Sequence, residues 1–367
     1  MASRTRAFWQ EITEGVAIQQ LWLQFQSDAR AGYRLYSREV DWSRGEDETR
    51  WRRFKRVARG LFWAMVLKLS PARRVLFIAA LILLIFPGLD FRYGQAEARM
   101  PNLAFFGGII LLVLFALELA DRVTMKRDLE IAKEIQSWLM PAAPPQIPGL
   151  EIAFATRPAN TVAGDYYDTF VRTDGSLILV VADVAGKSVP AALLMATLRA
   201  SLRTLAGVCT SVAELMERLN RYACEQNAGG QRFTTVFLAE LDQAGRRLVY
   251  INAGHNWPVL RHASGITERL ETGGLPIGLL PNACYQCGEA VLSAGDTLLI
   301  FTDGLVEAEN DREEEYGEAR MFATLNNYAV TSAGRMLQGL MTSVDQFVGS
   351  ASQHDDITCL VVHKTGQ

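Results

Sequence analysis

Much of what builds a cross-linked or nucleotide-dependent site is missing from this sequence. Five cysteines are an odd number without a disulfide-framework spacing, which excludes a stapled secreted scaffold and fits a reducing compartment. Cys284 and Cys287 form a single CxxC, but no second pair or nearby His completes a zinc set, so both are read as semi-buried loop thiols. No GxxxxGK[ST] occurs, which removes P-loop chemistry. Internal repeats and low-complexity tracts are absent as well. The first strongly apolar stretch comes late, so a cleaved signal peptide is not expected.

Charge is spread unevenly. Residues 1–74 hold 15 Lys and Arg against 8 Asp and Glu, a balance of +7 that leaves −10 for the remainder of a chain of net −3. A basic front suits membrane lipid, an acidic back has other uses for its carboxylates, and nucleic acid is not an expected partner. Residues 1–70 read as a helical, Arg-rich region with Trp9, Trp22, Trp42 and Trp51 among the charges. That pattern fits an interfacial helix on the cytoplasmic leaflet or a soluble helical domain.

Within residues 71–120, the stretches 75–89 and 103–117 are uncharged and strongly apolar. Each is shorter than the roughly 20 residues that span a bilayer, yet tolerable flanks lengthen them, and the pair is expected as a two-helix transmembrane hairpin. Arg73 and Arg74 precede the first stretch; Arg122, Lys126 and Arg127 follow the second. By the positive-inside rule this is a multi-pass inner-membrane protein with both termini and the C-terminal region cytoplasmic. Residues 121–148 read as a charged linker helix ended by prolines, with Val123, Leu129, Ile131, Ile135, Leu139 and Met140 spaced loosely like a coiled-coil seam. It is expected to carry a signal and to offer a homodimer contact; a plain spacer is the alternative.

From 149 to 367 many short strands and a few helices, out of strict βαβ alternation, predict an α+β sandwich rather than a Rossmann sheet. The apolar runs in it meet carboxylates. Residues 177–181 lead to Asp183 and a glycine turn, and residues 297–301 deliver Asp303 into Gly304. Asp355 and Asp356 stand just before the run 357–362, and Asp165 and Asp168 sit beside a fourth strand-like segment. Charged residues are almost never fully buried without partners. Acids gathered at strand ends repel one another unless cations sit between them, so a hard divalent metal site with oxygen ligands is expected.

The stretches LEIAKEIQSWLMP, AGDYYD, DVAGKSVPAALLMA, FTTVFLAELD, YINAGHNWPVLR, GGLPIGL, FTDGLVEAEN, EYGEARM and DDIT follow one another in a known order. From about Leu129 to His363 the chain resembles the SpoIIE/RsbU-type serine phosphatases, a bacterial branch of the metal-dependent protein phosphatase 2C (PPM) superfamily. The resemblance implies a PPM-type central β-sandwich flanked by helices, with two Mn2+ or Mg2+ ions in a cleft at one end. It implies that Asp183 is the carboxylate shared by both ions, beside the backbone carbonyl of Val184, and that Asp165, Asp303 and Asp355 complete the shell. Asp183 and Asp303 then stand at the catalytic centre, and Asp168 and Asp356 become candidates for outer-shell or third-metal roles. The implied reaction is hydrolysis of phosphoserine or phosphothreonine on a signalling protein, of the anti-sigma-factor antagonist type, by a two-metal-activated water.

Lys187, in the turn after Asp183, is read as solvated, and His255 in NAGHN as a turn histidine at the sandwich edge rather than a general acid. The family commonly has glycine where Ala163 and Ser188 stand; if either position needs a positive φ, Ala163 is expected to feel it more. Two other functions are compatible with parts of the pattern. One is a membrane-tethered, phosphoprotein-binding pseudophosphatase, against which the complete set of four acids argues. The other is a two-metal nucleotide cyclase, which needs neither the TDG nor the DDIT acids.

Overall fold

The computed structural model describes residues 50–86, 90–93, 96–99, 102–186, 188–226, 232–329 and 331–366. Residues 1–49 of the basic front, and Lys187, lie outside the described residues. The chain divides into two compact units between Val123 and Thr124.

The first unit holds helix α1 (Arg50–Lys68), helix α2 (Pro71–Ile85), strands β1 (Asp90–Tyr93) and β2 (Ala96–Arg99), and the first part of helix α3 (Leu103–Leu139). Pro71 opens α2 at the position where a missing N–H costs nothing. The Arg73 guanidinium bonds Glu118 and Asp121 of α3 at 3.1 and 2.6 Å. Apolar side chains of both helices face outward, among them Val75, Ile82, Ile85, Phe105, Leu112 and Phe115.

Among the described residues only α3 is long and apolar enough to cross a membrane, with a stretch of mean hydropathy 2.5. The 15 residues of α2 span about 22 Å, short of the roughly 30 Å hydrocarbon layer. The expected two-helix hairpin is therefore not confirmed. Between the two helices the chain forms an antiparallel β1–β2 pair that begins with Asp90 opposite Arg99.

The second unit is a two-sheet sandwich with helices on both outer faces. One sheet contains β4 (Tyr166–Val171), β5 (Leu177–Val184), β6 (Thr234–Leu241), β7 (Arg247–Ala253) and β10 (Gly273–Gly274), ordered β10-β7-β6-β5-β4, with β11 (Gly288–Val291) also on β7. The other runs β3-β13-β12-β8-β9, with β3 (Leu150–Arg157), β8 (Val259–Arg261), β9 (Thr267–Arg269), β12 (Thr297–Phe301) and β13 (Ile357–Lys364). Helices α4 (Val189–Ala206) and α5 (Val212–Gln226) cover the first sheet; α6 (Gly317–Asn327) and α7 (Ala333–Val348) cover the second.

Period-two alternation builds three cores from these layers. On β5, Ile178, Val180 and Ala182 meet Met195, Leu198 and Leu215 of the helices, while Leu177, Leu179 and Val181 face Leu298, Ile300 and Leu360 of the opposite sheet. On β12, Leu299 and Phe301 turn to Met321, Met336 and Leu340. The expected α+β sandwich is the architecture found. Its seven longer strands were legible as apolar runs; β8 to β11, two to four residues each, were not. Helix α7 was also missed, although Ser332 caps it through the Arg335 N–H and its buried positions 333, 336, 337, 340 and 344 follow helical spacing.

Candidate metal centre

The alternation that fills the core also delivers the acids. Asp183 continues the face of Leu179 and Val181, so it emerges between the sheets at the end of β5, partly buried and paired in register with Thr235. Asp165, only 2% exposed, stands one residue before β4. The Thr302 hydroxyl donates to its carboxylate at 2.9 Å. Thr302 follows β12 directly, bonds the Thr358 carbonyl through its own N–H at 3.0 Å, and accepts the Thr358 N–H on its hydroxyl at 2.9 Å. One threonine thus ties Asp165 to the β12–β13 end, where Asp303 and Asp355 are found.

Asp303 opens a 3-10 turn, Asp303–Leu305. A Cβ on Gly304 would lie 2.1 Å from the Asp356 carbonyl, so that close approach requires glycine. Gly164 packs less tightly against the other strand end: a Cβ there would sit 3.3 Å from the Val184 carbonyl. Asp356 accepts the Ala159 N–H at 2.7 Å and the Gly164 N–H at 2.6 Å, which pins the loop before Asp165 to the start of β13.

These acids load one another electrostatically. Burial, followed by the charges of Asp183 and Asp356, pushes the Asp165 carboxyl well above the usual range despite the opposing threonine bonds. Glu307 is raised by burial and then by Asp303, Glu315, Asp355 and Glu309. A groove of about 450 Å³ opens beside them, lined in part by Arg157, Gly304, Glu307, Glu309, Glu315 and Asp355. Among the described residues no three or more His, Cys, Asp or Glu side chains are gathered tightly enough to enclose an ion. The donor set still fits hard divalent cations: carboxylate oxygens and a carbonyl, with one buried acid whose charge burial and its acidic neighbours oppose.

Three expectations change. Asp168 does not face this centre. It lies three residues from Asp165 and shares a face with Tyr166, so it points towards α4, fully buried. Its two oxygens accept Arg203 Nε and Nη2, the Tyr166 hydroxyl and the Thr169 N–H at 2.6 to 2.8 Å, which fills the carboxylate and leaves nothing for an ion. Ser188, not Ala163, carries the unusual backbone: φ 70° and ψ −150°, a region kept almost entirely for glycine. Cys284 and Cys287 are exposed rather than semi-buried, and both are free.

His255 is 4% exposed and sits deeper than an edge position implies. Its Nδ1 lies 3.0 Å from the Thr235 hydroxyl, and burial lowers the ring to about 4, so at neutral pH it holds no proton to donate as imidazolium. Sequence reasoning missed three residues with direct structural duties: Thr302, Arg203 and Gln136. Thr302 was visible only as a letter of FTDG. Gln136 of α3 forms a double bond pair with the Ala163 backbone, at 2.7 Å to its carbonyl and 2.9 Å from its N–H.

The model of the Stage II sporulation protein E (SpoIIE) family matches residues 173–365, more than half of the chain. The chain belongs to that family. Protein IcfG of Synechocystis sp. is 28% identical over 279 residues, covering 68% of this chain but 43% of IcfG, so the chain spans less than half of that relative's length. Phosphoserine phosphatase RsbU of Bacillus subtilis is 29% identical over 243 residues, 65% of this chain and 71% of RsbU. The SiaA-PP2C domain of Pseudomonas aeruginosa matches with a TM-score of 0.59 and 21% identity, covering 66% of this chain and 98% of that domain, which shows a PP2C-like fold. Together the SpoIIE-family match and its phosphoserine phosphatase relatives support a serine/threonine phosphatase.

Proposed function

We infer that this chain is a membrane-anchored, metal-dependent protein phosphatase that removes phosphate from serine or threonine of a signalling protein in a partner-switching pathway. The observation that carries the reading is the meeting of Asp165 with the Asp303 and Asp355 strand end of the facing sheet through Thr302, while Asp183 acts on Asp165 from the neighbouring strand of its own sheet. Asp165, Asp183, Asp303, Asp355 and the Val184 carbonyl would hold two Mn2+ or Mg2+ ions. Bound there, the ions supply an activated water and offset the charge that builds on the phosphate oxygens.

The remaining work falls to the chain itself. Thr302 orients Asp165, Asp356 holds the loop in front of it, and Gly304 lets the two strand ends approach. The adjoining groove of about 450 Å³ is where a phosphorylated loop of the substrate would lie, and we assign that substrate to the anti-sigma-factor antagonist class. Helix α3, with outward Phe105, Leu112 and Phe115, is the membrane element, and α2 accompanies it. The basic run Arg122, Lys126 and Arg127 marks its cytoplasmic side. Linker residues 121–148 carry the input to the centre and offer a dimer contact.

The test is phosphate release from a phosphoserine protein by the detergent-purified full chain in 18O-water. The reading expects turnover that EDTA abolishes and added Mn2+ or Mg2+ restores, one solvent oxygen in each phosphate, and no trapped phosphoenzyme. Turnover indifferent to chelation, or a covalent phosphoenzyme, overturns it.

A further inference from the structure

The Arg73 ion pairs mark a level along helix α3. Arg73 bonds Glu118 and Asp121 just past the apolar stretch 103–117, and the two carboxylates stay 49% and 62% exposed. Exposed carboxylates are costly in hydrocarbon, so this level lies outside it, among headgroups and water. The end of helix α1 is tied to the same level. Arg74 Nε donates to the Leu69 carbonyl at 2.7 Å and Nη2 to the Leu67 carbonyl, so a cation satisfies carbonyls at the α1 C-terminus. Ser70 is extended and Pro71 opens α2, which keeps α1 and α2 from forming one continuous rod.

From that junction α1 presents a distinctive surface. Its 19 residues hold seven Lys or Arg and no acid. Trp51, Arg52, Lys55, Arg59, Phe62 and Trp63 are all exposed. At 3.6 residues per turn these six fall within about 120° of one another around the helix. Lys55 Nζ stands 5.3 Å from the centre of the Trp51 ring, and the Phe62 ring lies 6.1 Å from that of Phe77 on α2. Rings and cations are thus interleaved on one face. Near its end the exposed apolar surface passes through Leu67 to Val75, Leu76 and Ile78 of α2.

We propose that α1 is an interfacial helix that docks on anionic phospholipid headgroups of the leaflet where the apolar part of α3 ends. Its cations lie among the phosphates and its rings at the acyl boundary. The assignment rests on the reading of α3 as the membrane element. Charge complementarity selects anionic over neutral lipid. The rings, and their continuity with the outward apolar side chains of α2, select a lipid surface over a nucleic acid, which offers phosphate but no acyl layer. Attachment by α1 is then set by lipid charge, whereas attachment by α3 is not.

The test places the full chain in nanodiscs of phosphatidylcholine, alone or mixed with phosphatidylglycerol, and follows hydrogen exchange of the α1 amides. Alkaline carbonate extraction of the same protein from vesicles reports separately on α3. Each Lys or Arg near an anionic surface contributes roughly fivefold, so α1 exchange is expected to slow by about tenfold or more when phosphatidylglycerol is present. High salt should return it to the rate on neutral lipid. Arg52→Gln, Lys55→Gln and Arg59→Gln together should remove most of the difference and leave carbonate resistance unchanged.

Carbonate-resistant protein whose α1 exchanges equally fast on both lipids would overturn the proposal and leave the role of α3 standing. Release by carbonate would overturn the membrane reading and this proposal with it. Protection of α1 by duplex DNA or RNA, and not by anionic lipid, would assign the face to nucleic acid and overturn the proposal alone. The lipid and salt comparisons need no variant, so they decide the matter even if the triple variant does not fold.

Discussion

The side-chain amide of Gln136 closes a two-bond ring with the backbone of Ala163, two residues ahead of Asp165. Both partners are buried, so the α3 helix and the loop that presents Asp165 cannot shift independently without leaving polar groups unpaired. Losing such bonds costs about 1–3 kcal/mol for each buried group left unsatisfied. Gln136→Ala should therefore lower turnover severalfold and speed hydrogen exchange at the Ala163 amide, with the sandwich still folded. Unchanged exchange at Ala163 would remove the coupling.

Ser188 holds a backbone conformation that suits glycine, at the start of the helix that follows Asp183 and Val184. Such strain is worth on the order of 1–3 kcal/mol. Ser188→Gly should raise the melting temperature, whereas Ser188→Ala should not, because alanine meets the same Cβ conflict. Calorimetric melts of the two variants side by side make the comparison.

Asp168 and Arg203 form a charged pair in which the acid is fully buried and the guanidinium is partly exposed. Removing one partner of a buried pair costs about 3–5 kcal/mol, and partial exposure of Arg203 places this case at the low end. Asp168→Asn should lower stability by that order in EDTA while leaving Mn2+ affinity at the wild-type level. A loss of Mn2+ affinity matching that of Asp165→Asn would restore the metal role that the sequence suggested.

Burial works to raise the Asp296 carboxyl, but the Ser293 and Ala263 amides, each at 2.9 Å, and His262 Nδ1 at 3.0 Å prevail and hold it below its ordinary range. A depressed folded-state value means that the stabilisation is present above the unfolded-state value and disappears as pH falls through the folded one. Asp296→Asn should therefore cost about 1–2 kcal/mol in denaturant melts at neutral pH. The gap to wild type should close in strong acid. A gap independent of pH would contradict this.

The acids were legible because a buried strand ending in aspartate is a poor packing choice, and Asp183 and Asp303 each end such a run. The odd spacing of Asp165 and Asp168, which on a pleated strand sends them to opposite sides, is present in the sequence, yet both acids were expected near the ions. What assigned Asp168 its partner, however, was Arg203, 35 residues away on a helix, and no local pattern announces that pairing. Thr302 and Gln136 are alike in this respect, since each acts on a residue distant in sequence. Strands of two to four residues carry too few positions to show a period. The hairpin expectation rested on two apolar runs of equal length; helix α2 stops at Ile85 and α3 continues far past its apolar part to Leu139.

The most direct measurement of the central claim is a Mn2+ titration of the full chain beside Asp183→Asn, with phosphate release from a phosphoserine protein followed in the same samples. The account predicts more than one bound Mn2+ and metal-dependent turnover for wild type. For Asp183→Asn it predicts weakened binding and turnover lower by orders of magnitude, in a protein that melts normally. Equal Mn2+ binding and equal turnover in the two proteins would contradict it.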